Sequence, residues 1–293
     1  MMSDFVQQQH SVCDFDSSDS WVILSPIEQS IKRKIESVGT PLKDWDIQIN
    51  YGIKTGYNDA FIISTEKRNV ILANCQTEDE RKRTEELIRP ILRGRDIKRY
   101  GYVDNGLYLI NTHNGVKGRF PRIDINDYPS VKAHLDQFWE RLSTRADQGD
   151  TPYNLRNCAY LEDFSKPKII FQEIVQESQF LYDDTVHFMC NDTGRIIVGN
   201  SLKFLLGIMN SKLFFYSVKR FYSGGALGEH GVRMKHTFFE NFPCIPENKE
   251  IEYIATRLNN SYNDADSFLL EKLIYSSYGL TEEEIAIVEN REV

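Results

Sequence analysis

Strand-like and helix-like segments follow one another along this chain in no repeating order, and that irregularity narrows the fold more than any single motif does. Trp45 to Asn50 alternates apolar and polar residues (Trp45, Ile47, Ile49), the period of a half-buried strand. Ala60-Phe61-Ile62-Ile63, Val103–Asn111, Lys168-Ile169-Ile170-Phe171 and Arg195-Ile196-Ile197-Val198 are further strand candidates. Ser25-Pro26-Ile27-Glu28 reads as a helix start, with Ile27, Ile31, Ile35 and Val38 on one face and a stop at Gly39-Thr40-Pro41. Thr77–Leu87 reads as a charged helix and Tyr128–Arg145 as a helix carrying Val131, Leu135, Phe138 and Leu142. Leu202–Lys219 reads as a mostly apolar, buried helix, and Ile254, Leu258, Leu269, Leu273, Ile285 and Val288 fall on helix-period faces near the end. A doubly wound parallel sheet needs strand and crossover helix to alternate, so this order predicts an α+β fold: a mixed or antiparallel sheet with packed helices and a C-terminal helical segment. The expected division is a frayed lead-in (1–20), a body (21–246) and a helical segment packed on it (247–293).

A chain of 293 residues, 41% hydrophobic and 27% charged, can bury one large core or two modest ones, which sets aside the disordered, collagen-like and disulfide-scaffold classes. Apolar runs such as Phe204-Leu205-Leu206-Gly207-Ile208-Met209 are too short to cross a bilayer. Met1–Ser20 holds no Lys or Arg and so no secretory leader pattern; a cytoplasmic location and no membrane contact are expected. The five cysteines are scattered and never in a Cys-x-x-Cys pair, so neither a disulfide framework nor a zinc knuckle is indicated.

A net charge of −8 argues on its face against nucleic acid, yet binding depends on local patches. Met1–Ser20 contributes −4 and Glu247–Val293 −7, which leaves +3 for the body between them. Arg81–Arg99 holds eight basic residues against three acidic ones, and Ser217–His236 holds Lys219, Arg220, Arg233 and Lys235 against Glu229.

Enzyme chemistry is hard to find. No Gly-x-Gly-x-x-Gly follows a strand, no Gly-x4-Gly-Lys-Ser/Thr occurs, and no Gly-x-Ser-x-Gly elbow is present. His230 and His236 do not have the i, i+4 spacing of a zinc helix, and carboxylate pairs such as Glu173/Glu177 or Asp183/Asp184 read as solvated surface. A Ser–His or Cys–His arrangement stays open, since its partners are recognised by geometry.

Several separated blocks together carry a resemblance. They are Asn50-Tyr51-Gly52-Ile53-Lys54-Thr55-Gly56-Tyr57-Asn58-Asp59-Ala60-Phe61-Ile62-Ile63; Ile91-Leu92-Arg93-Gly94-Arg95-Asp96-Ile97-Lys98-Arg99-Tyr100; Lys166–Phe171; Leu205–Leu213; Gly224-Gly225; and Tyr278–Ile285. Their order and spacing resemble the C-terminal target-recognition region of type IIG restriction–modification enzymes, the TaqI-like specificity domain, over most of Ile47–Val293. The resemblance implies a parent enzyme that methylates adenine in DNA, with or without endonuclease activity, in the setting of phage defence. In that family an upstream domain binds S-adenosylmethionine through a Phe-x-Gly-x-Gly loop and holds the flipped adenine with Asn-Pro-Pro-Tyr. Neither motif occurs here, nor a Pro-Asp…Glu-x-Lys nuclease core. The chain therefore resembles the recognition part of a larger enzyme. It is expected to bind double-stranded DNA as a monomer, linked to or associated with a methyltransferase domain, without catalysis or cofactor of its own.

Site residues follow from residue chemistry and from the resemblance. Gly52 and Gly56 bracket a loop tipped by Lys54, Thr55, Tyr57 and Asn58, which can offer ammonium, hydroxyl and amide groups to phosphate or a base edge; a plain hairpin connection is the alternative. Arg93, Arg95, Lys98 and Arg99 can neutralise phosphate or grip guanine; the alternative is a solvated charge run, with one Arg paired to Asp96. Lys219, Arg220, Tyr222 and Ser223 enter a glycine loop followed by Arg233 and Lys235, a segment suited to a groove or to a surface turn with Phe221 and Tyr222 packed inward. Arg81-Lys82-Arg83, surrounded by Glu and Asp, reads as an exposed ion-paired helix face, and Trp45 and Trp139 as core. Two other functions are weighed: a small nuclease or methyltransferase with an unrecognised site, and a docking module whose acidic C-terminal helices hold a partner protein.

Overall fold

The computed structural model describes residues 24–222 and 231–291. The lead-in (1–20) and Ser223, Gly224 and Gly225 lie outside the described residues. Contacts divide the chain into two compact units: a sheet unit of Ile47–Glu173 and Gln179–Leu202, and a helical unit of Met1–Asp46, Ile174–Ser178 and Lys203–Val293. The expected α+β class is the observed one.

In the sheet unit the strands are β1 (Ile47–Tyr51), β2 (Ile62–Ser64), β3 (Ile88–Leu92), β4 (Ile97–Lys98), β5 (Gly101–Tyr102), β6 (Leu107–Ile110), β7 (Lys168–Gln172), β8 (Phe180–Asp183), β9 (Met189–Cys190) and β10 (Gly194–Gly199). One antiparallel sheet has the order β8-β7-β10-β1, and a second, mixed sheet the order β9-β3-β6-β2, with β9 parallel to β3. Strands β4 and β5 form a hairpin whose two loop residues are Arg99 and Tyr100. Strand β10 pairs on both sides, and its Ile196 and Ile197 are fully buried, which is why Arg195–Val198 reads as a continuous apolar run. Ile63, Leu92, Ile97, Leu109, Leu135, Ile170 and Ile196 belong to one continuous apolar core. Within this unit the Lys168 ammonium meets Asp183 at 2.7 Å with both side chains buried. Burial pushes the Asp183 carboxyl up, but Lys168 and the N–H groups of Phe188 and His187 outweigh it and hold the group below the usual carboxylate range.

In the helical unit the Pro26–Val38 helix starts at Ser25 with a reciprocal cap: Ser25 accepts from the Glu28 N–H, and Glu28 accepts from the Ser25 N–H. Three helices, Lys249–Asn260, Asp264–Ser277 and Glu282–Val288, close the chain. Lys34 and Ser30 of the first helix reach Glu284, and the Tyr278 hydroxyl donates to the Pro243 carbonyl at 2.8 Å, so the C-terminal helices share one body with the N-terminal helix.

Three expected elements differ. Leu202–Lys219 is two helices, Leu202–Met209 and Lys212–Ser217, because Ser211 accepts from the Phe214 N–H as a cap while its hydroxyl donates to Ile208. Tyr128–Arg145 splits into Pro129–Asp136 and Trp139–Leu142 where Phe138 leaves helical geometry and packs edge-on to Tyr57 and His134. That break carries Trp139 off the buried face, so it is 45% exposed against Tyr153 instead of in the core. Ala60 and Phe61 close a short helical turn, Asn58–Phe61, and the strand begins only at Ile62. Trp45 is half-buried, stacked on Phe204 at 5.8 Å. No helix among the described residues is long and apolar enough to cross a membrane.

Candidate nucleic-acid interface

The two stretches singled out in the sheet unit, Gly52–Asn58 and Arg93–Arg99, are anchored on one tight turn between β9 and β10. The Ile53 N–H donates to the Cys190 carbonyl (2.8 Å), Gly52 N–H to Gly194 (3.0 Å) and Asn191 N–H to Leu92 (3.2 Å). The Gly94 N–H donates to the Thr193 hydroxyl at 2.8 Å, and that hydroxyl donates on to Asn191 Oδ1 at 2.7 Å. A Cβ on Gly52 would sit 1.8 Å from the Asn191 oxygen, and one on Gly94 2.6 Å from the Thr193 oxygen. Both glycines serve close approach of backbone to backbone, which fixes the cationic segments on a common base.

Within Arg93–Arg99 the cations separate by role. Arg93 grips Asp96 with two parallel bonds of 2.9 Å, and Asp96 also accepts from the Arg93 N–H and from Asn105. The Asp96 side chain is only 4% exposed; burial pushes its carboxyl up, but Arg93 outweighs this and holds it below the ordinary range. Arg93 is thus the structural partner of Asp96, the ion pair weighed as the alternative to a contact residue. Arg95 is exposed on the 3-10 turn Gly94–Asp96, its carbonyl accepting from Lys98 Nζ at 2.9 Å. Lys98 is exposed at the hairpin tip, and Arg99 lies beside it with its guanidinium 5.5 Å from the Tyr100 ring centre.

In the Gly52–Asn58 loop, Thr55 is buried and donates to Asn58 Oδ1 at 2.6 Å, so its hydroxyl shapes the loop and is not displayed. Tyr57 is half-buried against Phe138, with Arg141 over its ring. Lys54 and Asn58 are exposed, Lys54 lying 3.7 Å from Asp147. The residue that fixes this loop was not visible in the sequence: Arg145, buried, donates to the carbonyls of Thr55, Pro152 and Asn154 and lies 4.5 Å over the Phe61 ring. Burial pulls its guanidinium down to about 10, which leaves it charged at neutral pH. No pattern around Arg145 signals this, because all its acceptors are backbone carbonyls.

The helical unit carries the second cluster differently. Arg220 donates to Glu28 through Nε and through Nη2, the latter at 3.1 Å, and burial of Glu28 is outweighed by Arg220 and Ser25, which hold its carboxyl low. Tyr222 meets Phe221 and Phe242 edge-on, each at 6.3 Å, in the inward packing that was the alternative to a wedge. Lys235 lies 5.9 Å over Phe238; Lys219 is exposed on the π turn Val218–Tyr222, and Arg233 is exposed on the short strand Val232–Arg233, paired with Ile174–Val175. Among the described residues no group of three or more His, Cys, Asp or Glu is arranged to hold a metal.

Among the described residues, Arg95 and Lys98 stand exposed in a mixed α+β fold on turns held by backbone and Thr193 contacts. Residues 89–244, more than half of the chain, match the TaqI-like C-terminal specificity domain, and the chain belongs to that family. The matched segment includes Arg93–Arg99 and Ser217–His236, and leaves out Arg81, Lys82, Arg83 and the Gly52–Asn58 loop. Among solved structures, the type IIL restriction–modification enzyme MmeI in complex with DNA is similar over 86% of this chain and 36% of its own, at a TM-score of 0.60 and 16% identity. The type IIG restriction endonuclease BpuSI is similar over 86% of this chain and 33% of its own, at a TM-score of 0.46 and 12% identity. The first of these shows a shared fold, and the chain spans about a third of the length of both.

Proposed function

We propose that this chain reads the base sequence of duplex DNA for a restriction–modification enzyme whose methyl transfer, and cleavage where it occurs, reside in another domain. The family match across Arg93–Arg99 and Ser217–His236 carries this reading. Arg95, Lys98 and Arg99 on their locked turn, with Lys54 on the adjoining loop, supply phosphate contacts that fix register, and polar side chains beside them read base edges in the major groove. The methyl donor, S-adenosylmethionine, belongs to the catalytic part. The space beside Gly52, Gly56 and Gly94 is filled by the backbone of Asn191, Asp147 and Thr193. Selection from a random duplex pool tests the reading: the full chain is expected to enrich one short word, and recovery of an unenriched pool contradicts it.

A second reading, docking of a partner protein on the C-terminal helices, is favoured by the exposure of Tyr253 (62%), Tyr262 (50%) and Phe268 (62%). Co-purification that survives high salt, with no shift of duplex DNA, is its signature.

A further inference from the structure

The Gly52–Asn58 loop meets the segment after the Trp139–Leu142 helix in a charge arrangement that differs from the other surface ion pairs of the sheet unit. Asp147 holds two cations at once: Lys54 Nζ lies 3.7 Å from Oδ2 and Arg156 Nη1 2.9 Å from Oδ1. The two come from opposite sides in sequence, and the approach is fixed by the backbone. Gly56 has φ +68, and a Cβ on it would lie 2.6 Å from the Asp147 carbonyl oxygen, so the Lys54 loop is pressed against the Asp147 backbone. Arg145, two residues before Asp147, is buried and bonded to the Thr55 carbonyl, and its positive charge also acts on the Asp147 carboxylate. By contrast Arg122–Asp150 and Arg119–Glu162 are one cation to one carboxylate.

Lys54, Asp147 and Arg156 have side chains 48%, 35% and 55% exposed, so their pairs are weak and readily exchanged. A carboxylate with two donors, one on each oxygen, stands where a phosphodiester with two non-bridging oxygens fits the same donors. We propose that Lys54 and Arg156 form a binding site for one backbone phosphate of DNA, and that the Asp147 carboxylate occupies this site in the unbound protein as its internal competitor. The proposal rests on the DNA reading above and adds to it a contact residue, Arg156, and a residue that opposes binding, Asp147. Neither changes the base word that is read, because phosphate contacts carry register and not sequence.

The test is titration of the full chain with mixed-sequence duplex DNA over a range of salt, for the wild type, Asp147→Asn, Lys54→Met plus Arg156→Met, and Arg95→Ala plus Lys98→Ala. Asp147→Asn keeps the backbone contact to Gly56, and an unchanged melting temperature verifies its fold. It is expected to bind about three- to tenfold tighter, while the Lys54/Arg156 variant binds about tenfold or more weaker and loses about 2 from the slope of log affinity against log salt. Asp147→Asn binding no tighter, with the Lys54/Arg156 variant within about twofold of wild type, overturns the site. If only the Arg95/Lys98 variant weakens binding, the site falls and the DNA reading stands. No binding by the wild type at low salt removes both.

Discussion

Two basic clusters with the same look in sequence end in different chemistry. Arg93–Arg99 stands on a turn clamped through Gly94 and Thr193, with Arg93 paired to Asp96, Arg95 and Lys98 exposed beside it and Arg99 half-buried over Tyr100. In Lys219–Lys235, Arg220 is drawn to Glu28 of a helix almost two hundred residues away in sequence, and Tyr222 packs inward among phenylalanines. What separates them is the placement of an acid. Asp96 lies three residues from Arg93 and organises the turn that carries its neighbours, whereas Glu28 pairs with Arg220 from a distant helix and leaves Lys219 and Arg233 of the second cluster exposed. Charge counted along a sequence is therefore a poor guide to charge offered to a ligand.

The contrast can be broken most sharply at the clamp. Gly52→Ala and Gly94→Ala each place a methyl against backbone oxygen and are expected to cost about 2–4 kcal/mol in chemical denaturation. Gly101→Ala, on the adjoining β4–β5 hairpin with open space beside it, is expected to stay within about 0.5 kcal/mol. Equal losses at Gly94 and Gly101 would show that the turn is not clamped.

Next in size is the difference between the two paired arginines. Arg93→Ala leaves a nearly buried carboxylate without its cation and is expected to destabilise by about 2–3 kcal/mol, so it reports on folding before it reports on DNA. Arg220→Ala removes a pair whose arginine is 42% exposed and is expected to cost under about 1 kcal/mol. A comparable loss at both sites would erase the distinction drawn between them.

Acid titration sharpens the same point more gently. Asp96, Glu28 and Asp183 all have folded-state carboxyl groups held below their ordinary range. Each contributes stability above the unfolded-state value that is lost as pH falls through the lower folded value. Stability measured from neutral pH downward is expected to fall below the ordinary carboxylate range, and Arg93→Met is expected to flatten part of that fall. A stability that rises on acidification contradicts the assignment. The smallest effect concerns ligand: Arg220→Ala is expected to leave duplex affinity within about twofold, and a tenfold loss would make Arg220 itself a contact residue.

Much of this was legible in the sequence where the determinants are local. The Ser25 cap, the stop at Gly39, the β10 run and the exposure of Arg95 and Lys98 all follow from residues close to one another. The two broken helices were hidden because apolar periodicity continues through Ser211 and Phe138, and a serine cap inside an apolar run does not interrupt the pattern. Thr55 and Arg145 were hidden for a different reason: a hydroxyl turned inward and a guanidinium satisfied by backbone carbonyls depend on contacts that close only in three dimensions. At Gly52 and Gly56 the close neighbour is the backbone of Asn191 and of Asp147, residues far away in sequence.

The most direct test of the claim that the sheet unit displays a DNA-binding turn is the salt dependence of duplex binding by the full chain beside Arg95→Ala plus Lys98→Ala. Loss of two phosphate contacts is expected to weaken binding about tenfold or more and to reduce the slope of log affinity against log salt by about 2. The same affinity and the same slope in both proteins would contradict it.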